Sequence, residues 1–237
     1  METPLIIMKS LACIALAVLA IFAVQTSCKN QQPTKTNRAA EKAAQEKIKP
    51  VQVPVENGMA RAYFASGCFW CVEAVYESVD GVQEAISGYS GGHTENPTYE
   101  SSNTGDTGHA EAVEVIYDPK VVSFSELLDV YFVTQNVTQV NGQGPDKGSQ
   151  YRSIIFYQND DQKKVIDEKI AMINKELGDK EVAAEVLPFQ KFWLGEAYHQ
   201  DYEKRNPNHP YIQRVSIPRL NRLKQYLPDL VKAEDSH

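Results

Sequence analysis

Two cysteines separated by two aromatic residues, in Gly67-Cys68-Phe69-Trp70-Cys71, are the feature of this chain best suited to chemistry. A C-x-x-C pair is a candidate redox dithiol, and its setting strengthens that reading. Ala62-Tyr63-Phe64-Ala65-Ser66 before it is apolar and β-prone, whereas Val72, Val75, Tyr76 and Val79 after it recur at helical spacing. The cysteines therefore fall where a strand hands over to a helix. The first turn of a helix has unpaired N–H groups and the positive end of the macrodipole, both of which favour thiolate over thiol. Cys68 is accordingly expected to be the reactive thiol. Cys71, three residues later on the same helical face, lies within reach of a disulfide. The bland alternative is a pair of small buried hydrophobes at a helix start.

The elements that must position this pair follow from patterning. A strand from residue 61 leads into the Cys68 helix, residues 82–90 have strand character, and Gly91-Gly92 make a turn. Residues 97–108 are expected to form a long polar loop. Residues 109–117 alternate polar and apolar, which places Glu111 and Glu114 on opposite faces of a strand. A carboxylate on a buried face is costly unless it has a partner or a task. Residues 123–135 read as an amphipathic helix capped by Ser123 or Ser125, with Glu126 near its start. A second Gly-rich loop over 136–150 carries Asp146, and 151–157 form a β-branched and aromatic strand. A charged helix over 160–177, a strand over 182–187 and a short helix over 195–205 precede an irregular tail, of which residues 215–230 either pack back or stay mobile. This irregular alternation, with no internal repeat, indicates an α+β sandwich whose site is built from loops.

Composition narrows the class further. With 237 residues and 42% hydrophobic content the chain is of ordinary globular size. A formal charge of −7 and the lack of any basic run interleaved with aromatics argue against nucleic acid as a partner. Of the four cysteines, Cys13 and Cys28 belong to an N-terminal apolar segment, so Cys68 and Cys71 are the thiols of the main body. The apolar run 11–24 fits the core of a secretory signal. Ser27 before Cys28 resembles the cleavage point of a bacterial lipoprotein signal, although Gln25 stands where such signals usually carry a bulky aliphatic residue. The expected organisation is a signal peptide over 1–27, a polar tether over 28–58 beginning at a lipidated Cys28, a main domain over 59–212 and an extension over 213–237. The expected location is the periplasm or cell envelope of a bacterium.

No metal set is apparent, because one C-x-x-C supplies two ligands and His93 and His109 lack the usual spacing. Nor is Gly88-Tyr89-Ser90-Gly91-Gly92 a phosphate cradle, lacking the strand-to-helix context and the lysine. Taken singly, Tyr99 and Tyr151 read as half-buried aromatics, Glu111 as an edge charge and His199 as a surface imidazole. Together, five ordered blocks resemble the type A peptide methionine sulfoxide reductase family: Gly67-Cys68-Phe69-Trp70; Gly88-Tyr89-Ser90-Gly91-Gly92 with Asn96-Pro97-Thr98-Tyr99; Gly105-Asp106-Thr107-Gly108-His109-Ala110-Glu111-Ala112-Val113; Asp146-Lys147-Gly148-Ser149-Gln150-Tyr151-Arg152-Ser153; and Glu196-Ala197-Tyr198-His199-Gln200-Asp201-Tyr202. The resemblance covers residues 61–207.

What the resemblance implies is a two-layer, ferredoxin-like α+β sandwich and the reduction of methionine S-sulfoxide, free or in proteins. A sulfoxide sulfur is weakly electrophilic, so a thiolate must attack it while an acid protonates the oxygen. By resemblance Cys68 is the nucleophile and Glu111 the acid, with a pKa raised by burial. Tyr99 and Tyr151 would polarise the oxygen, Asp146 would order the network, and Phe69, Trp70 and Tyr202 would form the methyl pocket. The product is a Cys68 sulfenic acid. Many relatives have glycine after Phe-Trp and resolving cysteines near the C-terminus. This chain has Cys71 and no later cysteine, so Cys71 is assigned as the resolving thiol, in a small and strained Cys68–Cys71 ring. The implied reductant is an external thioredoxin-like or other dithiol, with no bound cofactor and a monomeric chain. The competing reading is a thioredoxin-like disulfide oxidoreductase, in which the Tyr99, Glu111 and Asp146 blocks would have no task.

Overall fold

The computed structural model describes residues 48–233. The expected signal peptide, Cys28 and the first part of the expected tether lie outside the described residues. Strands β1 (Ala60–Ala65), β2 (Val82–Ser90), β3 (Ala110–Tyr117), β6 (Ile154–Tyr157), β7 (Glu185–Pro188) and β8 (Phe192–Leu194) form one sheet in the order β7-β6-β1-β3-β2-β8. All its pairings are antiparallel except β6 with β7. A two-stranded ribbon, β4 (Gly142–Gln143) and β5 (Asp146–Lys147), stands apart.

Both faces of the central strands are covered, which explains their nearly unbroken apolar sequence. On one face Ala62, Phe64, Val113, Val115, Ile155 and Tyr157 meet helices α1 (Phe69–Glu77), α3 (Phe124–Val133) and α4 (Asp160–Leu177). Phe64 sits at the centre of this layer, stacked on Tyr76 at 5.0 Å between ring centroids and tilted against Tyr131 at 5.6 Å. Each such fully buried side chain contributes on the order of 1.5–3 kcal/mol through area removed from water. On the other face Tyr63, Ala65, Ala110, Ala112, Ile154 and Phe156 pack under Leu187, Phe189, Val53 and Phe192. Residues of the expected tether contribute here, since Val51 N–H donates to Phe189 O and Val53 N–H to Gln158 Oε1.

Ser123 caps α3 in a reciprocal pair with Glu126, as the Ser-x-x-Glu spacing anticipates. Three expectations differ. The loop over 97–108 contains α2 (Tyr99–Asn103), a five-residue helix held by a Thr98–Ser101 capping box and too short to show a period. The helix expected over 195–205 is confined to α5 (Tyr202–Arg205), because residues before it turn on themselves and Asp201 adopts a left-handed backbone with φ of 51°. The tail is ordered: Ile212–Ser216 form a π turn running into α6 (Ile217–Tyr226), whose Arg219 and Leu223 are buried.

Candidate active site

The chain turns out of β1 at Gly67, whose φ of +73° is in the left-handed region and whose N–H donates to Tyr151 O at 3.2 Å. A Cβ at this position would lie 2.6 Å from Gln143 Cβ, so only glycine fits both the backbone and the packing. Cys68 then caps α1, its carbonyl accepting from the Cys71 and Val72 N–H groups. The next N–H, that of Phe69, has no helical acceptor. It donates to Glu111 Oε2 at 3.0 Å.

Glu111 reaches it because β3 alternates. Counting by twos, Glu111 shares the face of Val113 and Val115, beneath α1, and is 2% exposed. Burial pushes its carboxyl up to about 8, against the pull of the Phe69 N–H and helped by Asp146 and Cys71. At neutral pH it holds a proton. Tyr151, in a single turn at Ser149–Tyr151, has its hydroxyl pushed up by burial and then by Glu111, Tyr99, Cys68 and Asp146. Tyr151 therefore feels all four of these groups. Tyr99 opens α2 and is fixed through its N–H to Glu196 Oε1 at 2.9 Å, while Glu196 Oε2 accepts from Tyr89. Among the described residues neither the Tyr99 nor the Tyr151 hydroxyl bonds to another group, which leaves both free to donate.

The aromatic wall is equally specific. Phe69 lies 6.5 Å from Tyr99 and 4.7 Å from His199 between ring centroids, and Trp70 stacks on Tyr202 at 3.6 Å. Glu73 of α1 fixes the Tyr202 segment by accepting from Asp201 N–H and from Ser87 of β2. His199, read from sequence as a surface imidazole, is instead 1% exposed. Its Nδ1 accepts from Trp70 Nε1 at 3.0 Å, so Trp70 is oriented through the imidazole, which burial keeps neutral.

Asp146 is tied in through a tyrosine. It accepts from the hydroxyl of Tyr211, and Tyr211 Oη lies 3.9 Å from Cys71 Sγ. Sequence gave Tyr211 no role, because it follows His209-Pro210 in a segment without periodicity. No disulfide joins the two thiols, and each acts on the other's ionisation. Burial pushes Cys68 well up, and its neighbours Cys71 and Glu111 push it further. Cys71 is pulled down, first by the hydrogen bond from Cys68 and then by the charge of Arg219. Desolvation thus opposes the pull of the helix terminus on the Cys68 thiol.

Residues 60–230 match the family model described as peptide methionine sulfoxide reductase. A peptide methionine sulfoxide reductase MsrA of Pasteurella multocida is 46% identical over 172 residues, covering 73% of this chain and 98% of that protein. The MsrA of Sulfolobus acidocaldarius is 44% identical over 171 residues, covering 72% of this chain and 97% of that protein. Among solved structures, reduced Mxr1 of Saccharomyces cerevisiae superposes with a TM-score of 0.59 at 33% identity, covering 67% of this chain and 91% of that one. Methionine sulfoxide reductase A of Corynebacterium diphtheriae gives 0.58 at 29% identity, covering 68% and 83%.

Gly67→Ala tests the junction on which the site is hung. Strain at the left-handed position together with the Gln143 overlap should destabilise the protein by about 1–3 kcal/mol in denaturant unfolding. Wild-type stability in that variant would mean the turn is adaptable.

Proposed function

The chain belongs to the peptide methionine sulfoxide reductase family, and we propose how its own residues perform the thiol-dependent reduction of methionine sulfoxide that this membership entails. The substrate methyl group rests on Phe69, Trp70 and Tyr202, and its oxygen points to the Glu111 carboxyl and the hydroxyls of Tyr99 and Tyr151. Cys68 thiolate attacks the sulfur as Glu111 gives its proton to the oxygen. The substrate S–O bond breaks, methionine leaves, and Cys68 is left as a sulfenic acid. Cys71 sulfur then attacks Cys68 sulfur, the hydroxyl leaves as water, and a Cys68–Cys71 disulfide awaits an external dithiol of thioredoxin type.

The observation that carries this reading is the buried Glu111 carboxyl, which accepts from the N–H of the residue next to Cys68 and is pushed up to about 8 by burial. The arrangement also supports selection of the S epimer, since exchanging methyl and oxygen would press the polar atom against aromatic carbon with no donor. A thioredoxin-like disulfide exchanger is not favoured, because a buried carboxyl sits on the N–H of the residue next to Cys68 and thiol exchange has no oxygen to protonate. The strand order β6-β1-β3-β2, all antiparallel, with α1 after β1 and α3 after β3, supports a ferredoxin-like description of the fold.

We further propose that the enzyme acts in a bacterial envelope, anchored through a lipidated Cys28. The apolar run 11–24 and the polar stretch after Cys28 support this. Metabolic labelling with palmitate should mark the wild-type protein and not Cys28→Ala; equal labelling of both would remove the anchor.

Glu111→Gln should slow single-turnover sulfoxide reduction by about 10²–10⁴-fold. Because the acid form is required and the carboxyl is raised to about 8, the wild-type rate should fall as pH rises through that value. The variant should lack this falling limb. Unchanged single-turnover kinetics in Glu111→Gln would exclude the acid role.

A further inference from the structure

Tyr198 opens the aromatic cluster of the site to solvent. It is 56% exposed, whereas Phe69 and His199 are each 1% exposed. Its ring lies 4.2 Å from that of His199 between centroids, and His199 in turn lies 4.7 Å from Phe69 and 4.6 Å from Tyr99. The wall that begins at Phe69, next to Cys68, thus continues outward through the imidazole to an open ring.

A single exposed tyrosine is ordinary on a protein surface and by itself marks nothing. What distinguishes this one, besides its place in the wall, is how firmly its backbone is held. Arg205 donates to Tyr198 O at 2.9 Å and to Gln200 O at 3.1 Å, and the His199 N–H donates to Glu196 O at 2.9 Å. The Gln200 side chain ties the segment to β2, accepting from the Ser87 N–H and donating to Ser87 O, both at 2.9 Å. Glu196 is itself fixed by the Tyr99 N–H and the Tyr89 hydroxyl. None of these bonds uses the Tyr198 side chain, whose hydroxyl has no hydrogen-bond partner among the described residues. An aromatic ring on a fixed backbone has only two side-chain torsions to lose, so covering it with a ligand costs little ordering.

We propose that Tyr198 is a specificity-determining residue: its ring is a subsite beside the pocket that packs against the aromatic or aliphatic side chain flanking an oxidised methionine in a peptide. This rests on the proposed seating of the methionine sulfoxide against Phe69 and extends it from the oxidised side chain to its neighbour in the chain. A peptide advances at most about 3.8 Å from one Cα to the next, which matches the step from one ring of this wall to the following one. Free methionine sulfoxide has no flanking side chain and leaves the Tyr198 ring uncovered.

The test compares full-length wild type, Tyr198→Ala and Tyr198→Phe on three substrates: free methionine S-sulfoxide, a peptide with glycine on both sides of the S-sulfoxide, and one with phenylalanine on both sides. Dithiothreitol is the reductant, so docking of a protein donor does not enter. The Tyr198 hydroxyl is pushed up by desolvation and then by the carboxylates of Glu196 and Glu100, so uncharged, end-blocked peptides keep charge out of the comparison. Wild type should favour the phenylalanine-flanked over the glycine-flanked peptide by about three- to tenfold in kcat/KM, carried by KM. Tyr198→Ala should lose that preference and reduce free methionine sulfoxide as wild type does, and Tyr198→Phe should keep it.

A preference that persists in Tyr198→Ala, or that is lost in Tyr198→Phe, overturns the ring as its source. An alanine variant slowed by the same factor on all three substrates also overturns it, and shows that the ring only packs against His199. A wild-type enzyme that reduces all three substrates without preference removes this proposal alone. One that reduces none of them removes the reductase reading and this proposal together.

Discussion

The site depends on one hydrogen bond, from the Phe69 N–H at the start of α1 to the buried Glu111 carboxyl on β3. A helix start leaves donors unpaired, and a carboxyl under a helix has lost its water; each solves the other's problem. The bond fixes the helix that carries Cys68 over the strand that carries the acid, so nucleophile and proton donor are placed by the same contact. It is a weak enough compensation that the carboxyl remains protonated at neutral pH. A stronger set of donors would have held Glu111 as a carboxylate and left the sulfoxide oxygen without its proton.

The same desolvation that prepares the acid works against the nucleophile. Cys68 is 8% exposed and Cys71 fully buried, so each thiolate must be supported by what surrounds it. The segment after residue 212 adds to these surroundings, since the buried Arg219 of α6 donates to Ser66 O and Oγ two residues before Cys68. Trp70 shows the same economy, since His199 orients its indole and Tyr202 stacks on its face.

Much of this was legible in the sequence where local chemistry decides the outcome. Strand periodicity placed Glu111 and Glu114 on opposite faces of β3, Ser123 and Glu126 marked the start of α3, and the C-x-x-C fell at the strand-to-helix junction. What sequence could not show was decided by long-range contacts. His199 reads as an ordinary polar residue until the Trp70 indole is seen to close over it. Tyr211 and Arg219 lie in segments whose helices are short or irregular, and their partners Asp146 and Ser66 are 65 and 153 residues away in the chain. The short pieces α2 and β8 escaped for a related reason, having too few residues to show a period and being held by a capping box and by pairing with β2. The desolvation of Cys68 was likewise out of view, because the helix terminus is a local feature, while burial is a property of the whole fold.

The most direct measurement is mass mapping of Cys68 and Cys71 in the full-length protein after reaction with excess methionine S-sulfoxide in the absence of any reductant. The account predicts one methionine released per chain and a Cys68–Cys71 disulfide, with no oxygen retained on either sulfur. A free Cys71 beside a persistent Cys68 sulfenic acid would contradict it.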